Sequence, residues 1–209
     1  MKKTVVISED HSMFALMVKL WLEQTGQAEV LGVASTGKQT LELVESLQPD
    51  VLFQDMMLHD MSGLDIIRQI RTMMPSIAIF ALTAMANMAK LAIDAGANGC
   101  MLKEDNPQVI RHALEWDIAM GIWVSPLLGE RFYRAADDLL RYSFTPTEIN
   151  ILKNITSSNH EISLTLNISE GTVRNTLSTI YQKTGFTTRS ELLKYTQDVL
   201  LIVPTPNQA

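Results

Sequence analysis

The chain has 209 residues, 46% of them hydrophobic and 19% charged, which excludes a largely disordered chain and leaves length for one large domain or two small ones. Its 17 Lys and Arg against 23 Asp and Glu give a net charge of -6. At whole-chain level that balance argues against a nucleic-acid partner, because affinity for phosphate comes from clustered cations. The lone cysteine, Cys100, excludes an intramolecular disulfide framework and a multi-cysteine zinc site, and it fits a reducing compartment. Glu9 and Asp10 interrupt the N-terminal apolar run before a signal-peptide core could form, and no run of about eighteen apolar residues suggests a membrane span. A cytoplasmic chain with no membrane contact is expected.

In chain order, the first half alternates two hydrophobic periods. TVVIS (4–8) reads as a strand, and Met13, Leu16, Met17, Leu20 and Trp21 then recur at helical spacing until Gly26. The strand EVLGVA (29–34), a helix presenting Leu41, Val44 and Leu47, and the strand DVLFQD (50–55) follow. A helix near 64–73, the strand IAIFALT (77–83), a helix near 87–95, the run GCML (99–102) and a final helix over about 107–120 complete the pattern. Five apolar runs, each followed by a helix, predict a five-stranded, doubly wound parallel sheet of flavodoxin-like α/β type. In such sheets the reactive groups sit at the carboxyl ends of the strands.

Beyond Gly121 the alternation stops. An amphipathic helix is expected over about 127–142, and only helical patterns follow from Ser143. The expected organisation is a domain over 1–122, a linker helix within 123–143, a small all-α domain over 144–199, and a tail over 200–209. Dividing the charge at Ser125 places 9 basic and 15 acidic residues in the first part and 8 of each in the second. All of the excess acidity therefore belongs to the α/β domain.

The polar residues at the expected strand ends are Glu9 and Asp10, Asp55, Thr83 and Lys103. Three carboxylates converging on one crevice repel one another and need a cation or a proton between them. An all-oxygen donor set suits Mg2+. With the metal in place a carboxylate can act as nucleophile toward a phosphoryl group, and a lysine and a threonine hydroxyl can bind the phosphoryl oxygens. Taken singly, Asp10 or Ser12 could cap a helix and Lys103 could be a solvated charge. His11 and His59 lack a histidine or cysteine partner at ligand spacing and read as exposed loop residues.

This arrangement resembles the receiver domain of two-component response regulators over about residues 4–120. PDVLFQDMMLHDMSGLD is similar to the family's third-strand signature, which implies Asp55 as phosphoacceptor. The resemblance further implies Mg2+ held by Glu9, Asp10, Asp55 and the backbone carbonyl of Met57, a switch hydroxyl at Thr83 in LTA, and a phosphoryl-binding lysine at Lys103 in MLKED. Two positions depart from the pattern: His59 stands where proline is usual, and Cys100 where an aromatic ring is usual. Cys100 reads as a small buried strand residue in preference to a redox sensor.

From Phe144 to about Thr196 the chain resembles the LuxR-type helix-turn-helix of the NarL/FixJ response regulators, carried by FTPTE, HEIS, SEGTVRN, KTG and TTRSEL. Ser169 reads as an N-cap, Gly185 as a C-terminal stop, and Val173, Leu177 and Ile180 as the inward face. Arg174, Asn175, Ser178 and Gln182 are left outward, and Arg beside Asn suits the guanine and adenine edges of a major groove. Thr172, Thr176, Lys183 and Arg189 are candidate phosphate contacts. Residues 143–196 carry 5 cations against 4 carboxylates, so two copies on paired half-sites are expected. The resemblance implies a phosphorylation-controlled transcription regulator with a sensor histidine kinase and promoter DNA as partners, acting as a homodimer. Turnover beyond self-dephosphorylation is not expected. A phosphorylation-independent regulator using the first domain for dimerisation, and an adaptor whose C-terminal helices contact protein, remain as alternatives.

Overall fold

A computed structural model of the chain describes residues 2–199, and the tail expected at 200–209 lies outside them. The chain divides into two compact units, one ending at Gly129 and the other beginning at Glu130. The first contains β1 (Lys3–Ser8), α1 (Ser12–Gln24), β2 (Ala28–Ala34), α2 (Gly37–Leu47), β3 (Val51–Asp55), α3 (Gly63–Met73), β4 (Ala78–Thr83), α4 (Met88–Asp94), β5 (Gly99–Leu102), α5 (Gln108–Glu115) and β6 (Trp123–Val124). Its strands pair in parallel in the order 2-1-3-4-5-6.

Every residue of β3, β4 and β5 is buried. Such strands are apolar on both faces because helices cover both faces of a parallel sheet. On one face Phe53 stacks on Phe80 at 5.7 Å, and Trp123 meets Phe80 edge-on at the same separation. The pairing register places Ser8 beside Gln54, Asp55 beside Leu82, and Thr83 beside Leu102. Glu9, Asp55, Thr83 and Lys103 therefore gather at the carboxyl ends of the strands.

Two expectations are corrected. The sheet has six strands, not five, and the helix after β5 ends at Glu115 instead of running to Met120. Trp116 is extended, the Asp117 side chain accepts a bond from the Ala119 amide at 2.9 Å to form a 3-10 turn, and Trp116 Nε1 donates to the Gly121 carbonyl at 3.0 Å. These local bonds break the helical path, and Gly121, at φ 110°, turns the chain back to the sheet. A Cβ on Gly99 would lie 2.6 Å from the Trp123 carbonyl oxygen, so the added strand depends on a residue without a side chain there.

The second unit contains most of α6 (Pro126–Tyr142), then α7 (Pro146–Lys153), α8 (Asn159–Leu166), α9 (Glu170–Thr184) and α10 (Arg189–Val199). Ile151, Leu152, Ile155, Ile162, Val173, Leu177, Ile180 and Leu192 form its core. Thr145 with Glu148, and Ser158 with Glu161, form capping boxes that start α7 and α8. Asn167 and Gly185, at φ 52° and 74°, stop α8 and α9. No helix among the described residues is long and apolar enough to cross a membrane.

Gly63 fixes the loop that carries the β3 terminus, since its added Cβ would lie 2.5 Å from the Asp55 carbonyl oxygen and 2.6 Å from Cα of Met56. Gly63→Ala is expected to destabilise the first unit by roughly 1–3 kcal/mol through overpacking. Denaturant titration read by tryptophan fluorescence checks this, because Trp21, Trp116 and Trp123 all lie in that unit. An unchanged midpoint would refute it.

Candidate functional site

The carboxyl ends of the strands collect an acidic pocket. Asp55 and Glu9 are buried almost completely, and Asp10 is largely so. Lys103 reaches in from the end of β5, with Nζ at 3.0 Å from Asp55 Oδ2 and 2.7 Å from Glu9 Oε2. The other oxygen of Asp55, Oδ1, accepts from the Met57 amide at 3.2 Å. Lys103 Nζ also lies 5.0 Å over the Phe14 ring, so a cation–π contact steadies the ammonium. The Thr83 hydroxyl is buried and accepts from the Met85 amide at 3.0 Å. An open cavity of about 480 Å³ lies against Asp55 and Lys103, walled by Met13, Phe14, Met17, Met57, Ala84 and Met85.

Two residues that the sequence leaves as loop histidines belong to this pocket. His11 Nδ1 lies 2.8 Å from Asp10 Oδ1 and 3.1 Å from Glu9 Oε1, while His59 Nδ1 lies 3.5 Å from Asp10 Oδ2. Both rings are largely exposed, as the sequence suggests, yet both face the carboxylates. The signal for His11 is its position directly after an acid pair at a strand end. His59 has no comparable local signal, because the loop that returns it to Asp10 is a tertiary feature.

The donor set fits a divalent cation. Glu9 Oε2, Asp10 Oδ1 and Asp55 Oδ2 are buried atoms that accept no aligned hydrogen bond. Lys103 Nζ faces two of them, at 2.7 Å from Glu9 Oε2 and 3.0 Å from Asp55 Oδ2, and His11 Nδ1 lies 2.8 Å from Asp10 Oδ1. Glu9, Asp10, His11 and Asp55 each place a ligand atom within 4.8 Å of the others. Cys100 is fully buried in β5 and its thiol is pushed up to about 12 by burial, which makes it inert toward thiolate chemistry.

In the second unit α9 is built as a presented helix. Ser169 Oγ accepts from the Thr172 amide at 3.0 Å and lies 2.8 Å from the Thr172 hydroxyl. Val173, Leu177 and Ile180 are buried beneath it. Thr172, Arg174, Asn175, Ser178 and Gln182 are exposed, and Thr176 is half-buried. The two other expected contacts are engaged within the domain. Lys183 Nζ lies 2.8 Å from Glu148 Oε2 and donates to the Ser143 carbonyl at 3.3 Å. Arg189 donates from Nε to the Ile155 carbonyl at 3.0 Å, from Nη1 to Asn159 Oδ1 at 2.8 Å, and from Nη2 to the Ser157 carbonyl. Contacts from either cation to phosphate would have to compete with these bonds.

A doubly wound sheet with an acidic pocket at its strand ends, joined in one chain to a helical unit with a presented third helix, defines a receiver and reader pair. Residues 5–115 match the family described as response regulator receiver domain, and residues 142–196 match the luxR family of bacterial regulatory proteins. The chain belongs to the response regulators of the NarL/FixJ family, DNA-binding transcription regulators of two-component systems. It is 29% identical over 195 residues to the transcriptional regulatory protein YdfI of Bacillus subtilis (strain 168), covering 90% of this chain and 92% of that one. It is also 29% identical over 198 residues to the nitrate/nitrite response regulator protein NarL of Escherichia coli (strain K12), with the same coverage. Among solved structures, RcsB from Salmonella enterica serovar Typhimurium, bound to promoter rprA in the presence of phosphomimetic BeF3-, superimposes with a TM-score of 0.63 at 23% identity, over 93% of this chain and 98% of that one.

Glu148 ties the start of α7 to the end of α9. Burial opposes its charge, but hydrogen bonds from Lys183 and Thr145 outweigh it and hold the carboxyl below its usual 4.5. A group whose native value is depressed contributes stability that is complete above the unfolded value and lost as pH falls through the native one. Lys183→Met is therefore expected to destabilise the helical unit by roughly 1–3 kcal/mol at neutral pH. Glu148→Gln should flatten the loss of stability below about pH 5. Hydrogen exchange of the α7 and α9 amides in the full chain measures both, and an acid slope unchanged in Glu148→Gln would contradict the assignment.

Proposed function

We propose that this chain is a phosphorylation-switched transcription regulator whose phosphoacceptor is Asp55, with a sensor histidine kinase as donor. The observation that carries the reading is Asp55 itself, a buried carboxylate at the base of an open cavity with Lys103 at 3.0 Å and the Met57 amide at 3.2 Å. Mg2+ bound by Glu9, Asp10, Asp55 and the Met57 carbonyl would supply charge neutralisation for in-line transfer. An Asp55 oxygen attacks the phosphorus, the bond to the donor histidine breaks, and the phosphoryl group stays on Asp55. Lys103 neutralises charge on the new group, and the Thr83 hydroxyl turns its proton from the Met85 carbonyl to donate to it. Each such charge-assisted bond is worth roughly 1.5–3 kcal/mol, enough to bias a two-state surface by one or two decades.

The receiver (1–122) would act through the connecting helix (123–143) on the reader (144–199), in the cytoplasm. Arg174 and Asn175 read base edges from the outward face they share with Ser178 and Gln182, and Thr172 and Thr176 contact phosphate. Lys183 and Arg189 serve first as positioning groups, holding α9 and α10 in place through their internal bonds. So few cations on the presented face support binding as a homodimer on paired half-sites of promoter DNA.

Asp55→Asn is expected to abolish labelling by acetyl phosphate and the phosphodonor-dependent gain in DNA binding, read by mobility shift on fragments the wild-type chain selects from a random pool. If it binds those fragments as wild type does, with and without donor, the receiver is a phosphorylation-independent dimerisation module instead. The buried Cys100 at the usual aromatic position gives that second reading its footing. Arg174→Ala is expected to cost about 1–3 kcal/mol of affinity and to relax selectivity at one base position. Unchanged binding would remove α9 from the reader role.

A further inference from the structure

The structure assigns to α6 a contact surface for a second copy of this chain, on which the two α6 helices pack antiparallel about a twofold axis passing between Ala135 and Ala136. The inference rests on the homodimer reading and supplies the surface that the reading lacks. α6 has an inward and an outward face. Ala135 is buried against Tyr195 of α10, with Tyr142, Phe144 and Phe186 packed around them. On the opposite side Glu130, Tyr133, Asp137 and Leu140 follow one another at intervals of three, four and three, the a/d spacing of a helix that meets another helix, and all four are exposed. Tyr133 is 75% exposed, and Leu140, at 79%, is the most exposed large hydrophobic side chain among the described residues. Large apolar groups that recur on one charged stripe mark a contact, where scattered single ones do not.

Charge selects the occupant and its direction. Arg134 and Arg141, both exposed, border the stripe, so the outward charges alternate in sign along the helix as Glu130, Arg134, Asp137 and Arg141. A parallel copy in register would set each charge against its own like. An antiparallel copy reverses the order and places Glu130 opposite the partner's Arg141 and Arg134 opposite the partner's Asp137, each pair occurring twice by symmetry. Arg134 already holds Glu130 at 2.6 Å within its own helix, so its guanidinium would stand between that carboxylate and the partner's Asp137. At about 100° per residue, Tyr133 and Leu140 lie on one flank of the stripe and both arginines on the other. A twofold axis perpendicular to the helices brings equal flanks together, which sets Tyr133 within one turn of the partner's Leu140. Exposed ion pairs contribute little singly, so the apolar flank supplies attraction while the charges fix register and direction.

Sedimentation equilibrium of the full chain, with and without acetyl phosphate, tests this in wild type, Leu140→Ser, Arg134→Glu, Asp137→Arg, the two charge reversals on one chain, and an equimolar mixture of the two single reversals. Each single reversal turns both copies of one ion pair repulsive, so Arg134→Glu and Asp137→Arg are expected to weaken self-association by about tenfold or more, as is Leu140→Ser. The doubly reversed chain, and the mixture of the two single reversals, should return to within about threefold of wild type, because opposite charges then face each other again. Recovery in the mixture also shows that neither single variant is misfolded. Single reversals that associate as wild type does, or a mixture that fails to recover, overturn the assignment to α6 and leave the homodimer reading standing. A wild-type chain that stays monomeric in both conditions and on DNA removes both.

Discussion

Everything at the functional edge depends on one electrostatic problem, the convergence of Glu9, Asp10 and Asp55. Parallel pairing leaves no choice in this, because the register that aligns β1, β3, β4 and β5 also aligns the residues that follow them. In the described structure Lys103 meets part of the problem by bridging two of the three acids. Its ammonium is aimed by the same register, since the Lys103 amide donates to the Thr83 carbonyl at 2.8 Å. Thr83 and Lys103 are thus neighbours through one backbone bond.

Most of the receiver was legible because its strands are unbroken apolar runs and its chemistry falls at their ends, two signals that reinforce each other. GCML coincides with β5 to the residue. The failure after β5 has a definite cause. Residues 116–120 keep a helical hydrophobic spacing, but Asp117 and Gly121 impose a turn through bonds that periodicity does not register. The two-residue strand β6 is too short to carry a pattern, and the clue to it was Gly99, whose lack of a side chain admits Trp123.

The site was legible to a different depth in each unit. The five polar positions of the pocket could be read from order alone, yet the histidines that border it could not, since their role depends on where two loops meet. In the helical unit the inward triad of α9 followed from spacing, while the destination of Lys183 and Arg189 did not. Helix position places a long cation on a face, but whether its head meets solvent or a buried acceptor is decided by residues 30 or more positions away.

That division of labour within α9 separates its exposed face from its architecture. The helix is seated by hydrogen bonds of Ser169 and Lys183 and by the packing of the buried triad, whereas the outward side chains of Arg174, Asn175, Ser178 and Gln182 make none of the hydrogen bonds seen among the described residues. Exchanges at those four exposed positions leave the scaffold's contacts intact, so the chemistry of that helix face can change without unfolding the domain that presents it.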